Sequence, residues 1–407
     1  MNLDARMIPR ALVIRRVLVA LVTAVCAGVA GGAEAFAAET TIGHEIRGAG
    51  ALERLVIEVE GPIAPGTADR VAAILAEPRS RAVRRKLVVL RSEGGAWAEG
   101  VALARLFRED HVGTVIPDGA RCLSACAIAF LGGALEDPVH GTVAARAMGA
   151  TSRLGFHAPY LTLRNRMFLI TDVERAYTQA VESMLMIFSL ADDLEVDTKL
   201  LTDLLVSGED TFEFVDSVGE AGRLGIYVSG IAGPPATPST EQIRTYCTNA
   251  FDWKRGAARP ALAPGEARAA LSNAPVLRER VAGEDATGAG WMRTILPIAV
   301  DARGAYDWCV FETRLDAPQA GRLSPSRAAP PARRHVCRGF VRERRAEAVA
   351  ARMRDAPAGW RIAERDCTFP TAADPRAARP DPHASAALAF HPATTALADL
   401  AREPETR

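Results

Sequence analysis

The stretch Leu90–Phe107, LRSEGGAWAEGVALARLF, passes from a buried apolar run through a double-glycine turn into a segment with helical spacing of Val101, Ala104, Leu106 and Phe107. Gly94 and Gly95 stand where a strand ends, and bare backbone there can approach a ligand and offer N–H groups to an oxyanion. A strand, a tight glycine turn and a helix in this order form the unit of an α/β layer fold.

Working outward, the same alternation recurs. RLVIEVEGPI (Arg54–Ile63) reads as a strand and TADRVAAILAEP as an amphipathic helix ended by Pro78. HVGTVIPDG is a further strand, Ser124–Leu131 a helix, and SRLGFHAPY a strand and turn. A long helix follows from about Asp172 to Leu190, then helical DTKLLTDLLVSG. GIAGPPATPSTE supplies a proline-rich linker. Beyond it, WMRTILPIAV, YDWCVFETR and HVCRGFV predict strands, RERRAEAVAARMRDA a helix and GWRIAERDCTF a strand. That ordering places Cys337 and Cys367 on adjacent strands, where they are able to pair. The alanine- and proline-rich tail after Phe369 has little to bury and is expected to be disordered.

The expected organisation is therefore a signal peptide at 1–37, an α/β domain at 38–230, a linker at 231–240, a small α+β module at 241–369 and a tail at 370–407. The signal peptide is read from Arg10, Arg15 and Arg16 before the apolar run Val17–Ala30, with Ala35 and Ala37 as small residues before a cut. Translation starting at Met7 would remove Asp4 from the basic region. The alternative is an N-terminal membrane anchor, but the run is short of the roughly 20 residues that span a bilayer. A periplasmic or secreted location follows.

Acidic and basic side chains balance at 49 each, which gives no basis for nucleic-acid binding. The lysines are Lys86, Lys199 and Lys254, so arginine carries the positive charge; clusters such as Arg81, Arg84 and Arg85 read as solvated faces. Removing the signal leaves Cys122, Cys126, Cys247, Cys309, Cys337 and Cys367, an even set that suits disulfides in an exported chain.

Chemistry is suggested by three stretches taken together: RSEGG, CLSAC with Ser124 at a helix start, and GFHAP with His157 after a strand. A serine hydroxyl is a weak nucleophile until a base takes its proton, histidine is the usual base near neutral pH, and a carboxylate normally orients it. Singly, Ser124 reads as a helix cap, His157 as a structural histidine and the glycines as a turn.

The ordered set LRSEGGAWAEGVALARLF, ARCLSACAIAFLGG, LGFHAP and GEDTFEFVDSVGEAGRLGI resembles the successive motifs of the ClpP/crotonase superfamily, in particular the caseinolytic protease subunit and its exported relatives. The resemblance covers roughly Leu55 to Val228. It implies a ββα spiral with a smaller C-terminal α+β module, Ser124 as nucleophile, His157 as general base, Asp210 of DTF as the orienting acid, and the Gly95 and Ala125 N–H groups as oxyanion hole. Arg91 and Glu93 stand where the family turn has asparagine and proline, and a carboxylate at 93 would repel an oxyanion. HGTVAARAMGATS lengthens the Ser124–His157 spacing. Cys122 and Cys126 look like those of the exported relatives, where a bridge would clamp the serine turn; their separation is near the upper limit for one. The region ESMLMIFSLADDL resembles the family's inter-subunit handle.

The implied activity is a serine hydrolase, expected to be a peptidase acting on peptides or unfolded chains. No metal, nucleotide or other cofactor is required, and no ATP-dependent unfoldase is expected outside the cytoplasm. A homo-oligomer is an open expectation. A non-catalytic binding or scaffold protein on the same fold is the alternative, and a crotonase-type acyl-CoA enzyme would leave Ser124 and His157 unexplained. A serine–lysine dyad has no support, since no lysine lies in a motif that presents an amine to Ser124.

Overall fold

The computed structural model describes residues 39–137, 141–159, 169–255 (apart from 192, 197 and 207–210), 264–282, 290–315 (apart from 302), 335–354 and 386–401. The expected signal peptide at 1–37, Asp210 and Cys367 lie outside these. No helix among the described residues is long and apolar enough to cross a membrane.

The chain is a mixed α/β protein with several sheets. In order it forms β1 (Thr41–Arg47), β2 (Arg54–Glu60), α1 (Thr67–Ala76), β3 (Lys86–Arg91), α2 (Trp97–Glu109), β4 (Val112–Ile116), β5 (Arg121–Leu123), α3 (Ala125–Leu131), β6 (Ala134–Asp137), β7 (Gly141–Ala144), β8 (Arg146–Gly149) and β9 (Arg153–Phe156). Then come α4 (Ile170–Leu190), β10 (Glu213–Phe214), α5 (Val218–Arg223), β11 (Ile226–Ser229) and α6 (Thr240–Arg255). Strands β12 (Leu277–Ala282), β13 (Gly290–Val300), β14 (Tyr306–Arg314) and β15 (His335–Glu343) precede α7 (Ala346–Arg354).

A six-stranded sheet runs β1-β2-β3-β4-β8-β11. Its pairs are parallel apart from the antiparallel β1–β2 edge. Parallel strands covered on both faces need near-continuous apolar sequence, and β4, VGTVI, is buried at every position. A second sheet, β10-β9-β5, carries the candidate chemistry. The four strands β12 to β15 form an antiparallel meander in sequence order.

The boundary expected at 231–240 does not divide the packing. One apolar cluster joins Leu55, Val88 and Phe107 of the first half to Leu296, Phe311 and Phe340 of the meander. Helix α6, which the sequence reading left unassigned, is the joint: Gly222 of α5 lies against the Trp253 ring, and Cys247 is disulfide-bonded to Cys309 of β14. Cys337 is disulfide-bonded as well, and its expected partner, Cys367, lies outside the described residues.

The tail expectation needs correction at 386–401. Leu388, Phe390 and Leu397 are buried there. The Asn249 amide donates to the Ala389 and His391 carbonyls at 2.9 and 2.7 Å. The N–H groups of Val218 and Gly219 donate to Thr395 and Ala393, and that of Leu397 to Asp216. Few apolar residues suffice when each meets a preformed groove and the backbone supplies the polar contacts.

Arg146 of β8 is fully buried. Its guanidinium donates to the carbonyls of Leu131 at 2.9 Å, Leu224 at 2.6 Å and Leu194. Burial lowers its pKa to about 9, opposed by Glu195 and assisted by Arg108; the latter two pair with each other at 2.7 Å.

Candidate active site

Ser124 lies between β5 and α3 with φ 55° and ψ −123°. Positive φ is a strained conformation for a residue with a Cβ, and a strand-to-helix turn of this kind lifts a serine hydroxyl out of the backbone, as in a nucleophile elbow. The strand side is held by Leu123 N–H to Ser92 carbonyl at 3.0 Å and Ser124 N–H to Gly155 carbonyl at 2.9 Å. Helix α3 behind it is buried at every residue, which explains the run of small side chains in ACAIAFL. Ser124 itself is only half-buried and its hydroxyl does not cap the helix.

The glycine turn packs against this serine. Gly94 has φ +103°, and a Cβ added to it would lie 2.6 Å from the Ser124 Cβ. At Gly95, with φ +150°, a Cβ would run into the Ile63 backbone. Ser92 Oγ accepts the Gly94 N–H at 3.1 Å; Gly94 carbonyl and Ala96 N–H are taken by Ile63. Among the described residues, neither the Gly95 nor the Ala125 N–H has a hydrogen-bond acceptor. Those are the two donors expected of the oxyanion hole, and Ala125 opens a helix whose first N–H groups have no intrahelical partner.

Glu93 does not intrude. Its carboxylate is mostly exposed and pairs with Arg121 at 3.2 Å, while Gly94 is buried. The turn therefore presents backbone on one side and the acidic side chain on the other.

His157 follows β9. Strands β5 and β9 are parallel with Leu123 opposite Gly155, so Ser124 and His157 leave the same ends of adjacent strands. The imidazole is 3% exposed, its Nδ1 is 2.6 Å from the Ala158 carbonyl, and the Phe212 ring meets it edge-on at 4.8 Å. A carbonyl only accepts, so Nδ1 is the donor in this contact. Strand β10 runs antiparallel to β9 with Glu213 opposite Phe156, which brings Thr211 and Phe212 alongside His157.

Gly95, Ser124, Ala125 and His157 thus converge at one end of two packed strands, while Asp210 lies outside the described residues. Ser92, Arg121, Ala158 and Phe212 were not recognised as site residues in the sequence. Only Ser92 carried a signal, a hydroxyl two residues before a glycine whose N–H needs an acceptor. The 122–126 disulfide is formed, with Cα atoms 5.1 Å apart.

One cluster among the described residues has metal-ligand spacing. The sulfurs of Cys247, Cys309 and Cys337 lie within 4.8 Å of one another, but the first two are joined to each other and a metal needs thiolates. No family model and no curated protein matches the chain.

Proposed function

We propose that this chain is an exported serine hydrolase of the ClpP/crotonase type, acting as a peptidase on peptides or unfolded chains. The observation that carries the reading is the Ser124 turn, where a positive-φ serine abuts Gly94 beside two N–H groups that have no acceptor among the described residues. In this mechanism Ser124 Oγ attacks a carbonyl carbon and His157 Nε2 takes its proton. The Gly95 and Ala125 N–H groups stabilise the oxyanion, and the imidazolium returns the proton to the leaving amine. Water then cleaves the acyl-enzyme through the same base. Asp210 is proposed as the acid that orients the imidazole, and the Ala158 carbonyl, 2.6 Å from Nδ1, is a further partner of the ring. The chemistry proceeds without a metal or nucleotide.

A location in the periplasm or outside the cell rests on the leader-like first 37 residues. Homo-oligomerisation is supported by α4 and the residue before it, on which Leu169, Ile170, Tyr177 and Leu185 are each more than half exposed.

The test is labelling of the mature protein with a fluorophosphonate probe, comparing wild type with Ser124→Ala and His157→Ala. Labelling of wild type and neither variant is expected. No labelling of folded, oxidised wild type would favour the binding-scaffold reading, in which the Nδ1 bond to Ala158 simply satisfies a buried histidine.

A further inference from the structure

The catalytic steps leave one feature of the site unused, the disulfide around the nucleophile. Cys122 is the middle residue of β5 and bridges to Ser92, and Cys126 is the second residue of α3. Their bond therefore encloses Leu123, Ser124 and Ala125 in one covalent ring. Both cysteines are fully buried.

The backbone of Ser124 must be held by its surroundings, because an L-residue leaves positive φ when released. Leu123 and Ser124 N–H bonds fix the strand side, and the Ile128 N–H to the Ser124 carbonyl at 3.2 Å belongs to the helix side. The hydroxyl adds no restraint on the helix start. The disulfide ties β5 covalently to the start of α3 across the serine.

We propose that the Cys122–Cys126 disulfide is the positioning element of the nucleophile, so that Ser124 becomes reactive only when the bond has formed. This rests on the serine hydrolase reading. Closing the bond is thiol–disulfide exchange: two thiols give two protons and two electrons to a disulfide oxidant, which leaves as two thiols. A dithiol reductant reverses it. An exported hydrolase so built is inactive in a reducing compartment and activated where disulfides persist.

The test compares wild type with Cys122→Ala/Cys126→Ala, the Cys247–Cys309 bond being intact in both. Fluorophosphonate labelling rates are read across pH, and hydrogen exchange is followed at residues 123–128. The double variant is expected to unfold cooperatively and to label at least about tenfold more slowly. Its pH-profile midpoint should be unchanged, because His157 is untouched, and faster exchange should be confined to 123–128. Labelling at the wild-type rate, or unchanged exchange there, overturns the proposal.

If the variant does not fold, a background with Cys247, Cys309, Cys337 and Cys367 all replaced by alanine is treated with a dithiol and then reoxidised. Reversible loss of labelling supports the proposal, and full labelling of chains reduced at 122 and 126 overturns it. Should oxidised wild type not label at all, the hydrolase reading fails, while the exchange measurement still decides whether the disulfide holds the turn.

Discussion

Gly94 and Ser124 meet across two separate strand ends, so closely that a Cβ on the glycine would lie 2.6 Å from the Ser124 Cβ and 3.2 Å from its Oγ. The glycine turn and the serine turn are thus one site built from two segments of sequence. Gly94→Ala would have to displace the serine and also place a Cβ at φ +103°. It is expected to cut fluorophosphonate labelling by more than about tenfold. Retention of the wild-type rate in a folded Gly94→Ala variant would contradict the packing described.

Ser92 acts through the same turn by accepting the Gly94 N–H. Ser92→Ala leaves that buried donor unpaired and should destabilise the protein by about 1–3 kcal/mol. Denaturant unfolding of the variant reads this, and an unchanged midpoint would mean that another acceptor takes over.

Arg146 joins three carbonyls from the end of α3, the loop at Leu194 and the end of α5. Replacing it by methionine removes the charge but orphans those acceptors, and a loss of about 3–5 kcal/mol is expected. Thermal unfolding of Arg146→Met beside wild type checks it; a gain in stability would show that desolvation of the guanidinium outweighs its hydrogen bonds.

Burial lowers the pKa of His391 below its ordinary 6.5. The unfolded chain then binds the proton more readily, so the stability contributed by neutral His391 is full above pH 6.5 and is lost as pH falls toward the folded value. His391→Gln keeps the backbone carbonyl that Asn249 uses and should flatten this part of the stability profile between about pH 7 and 5. Identical slopes in both proteins would remove His391 as the cause.

Ile170 and Tyr177 of α4 are 76% and 70% exposed. If this face joins copies of the chain, Ile170→Glu/Tyr177→Glu should lower the mass measured by light scattering without changing the melting temperature. A wild type that is already monomeric at tens of micromolar would dispose of the homo-oligomer proposal.

Much of the fold was legible because it depends on local rules. Apolar runs such as KLVVL and HVGTVI, broken by Gly94–Gly95 or Pro117, announce buried parallel strands, and the spacing in α2 and α4 announces helices. Strands β13, β14 and β15 and helix α7 were read in the same way, β12 was not, and the strand expected at GWRIAERDCTF lies outside the described residues. Helix α6 was passed over because TEQIRTYCTNAFDWKR is polar on average and its apolar residues face a neighbour not visible locally. The docking of 386–401 was invisible for a related reason. The buried side chains Leu388, Ala389, Phe390 and Leu397 leave little periodic trace, and the partners of this segment, Asn249 and the Asp216–Gly219 backbone, are far away in sequence.

At the site, the sequence by itself determined the candidate groups: a serine at a helix start, a histidine after a strand and a double-glycine turn. Tertiary structure alone decided the positive φ of Ser124, the salt bridge that turns Glu93 outward and the edge-on contact of Phe212 with His157. It also decided which cysteines pair. Each of these depends on the register between β5, β9 and β10 or on packing between distant segments, and pairing across a sheet is a property of the folded chain that spacing along one strand does not encode.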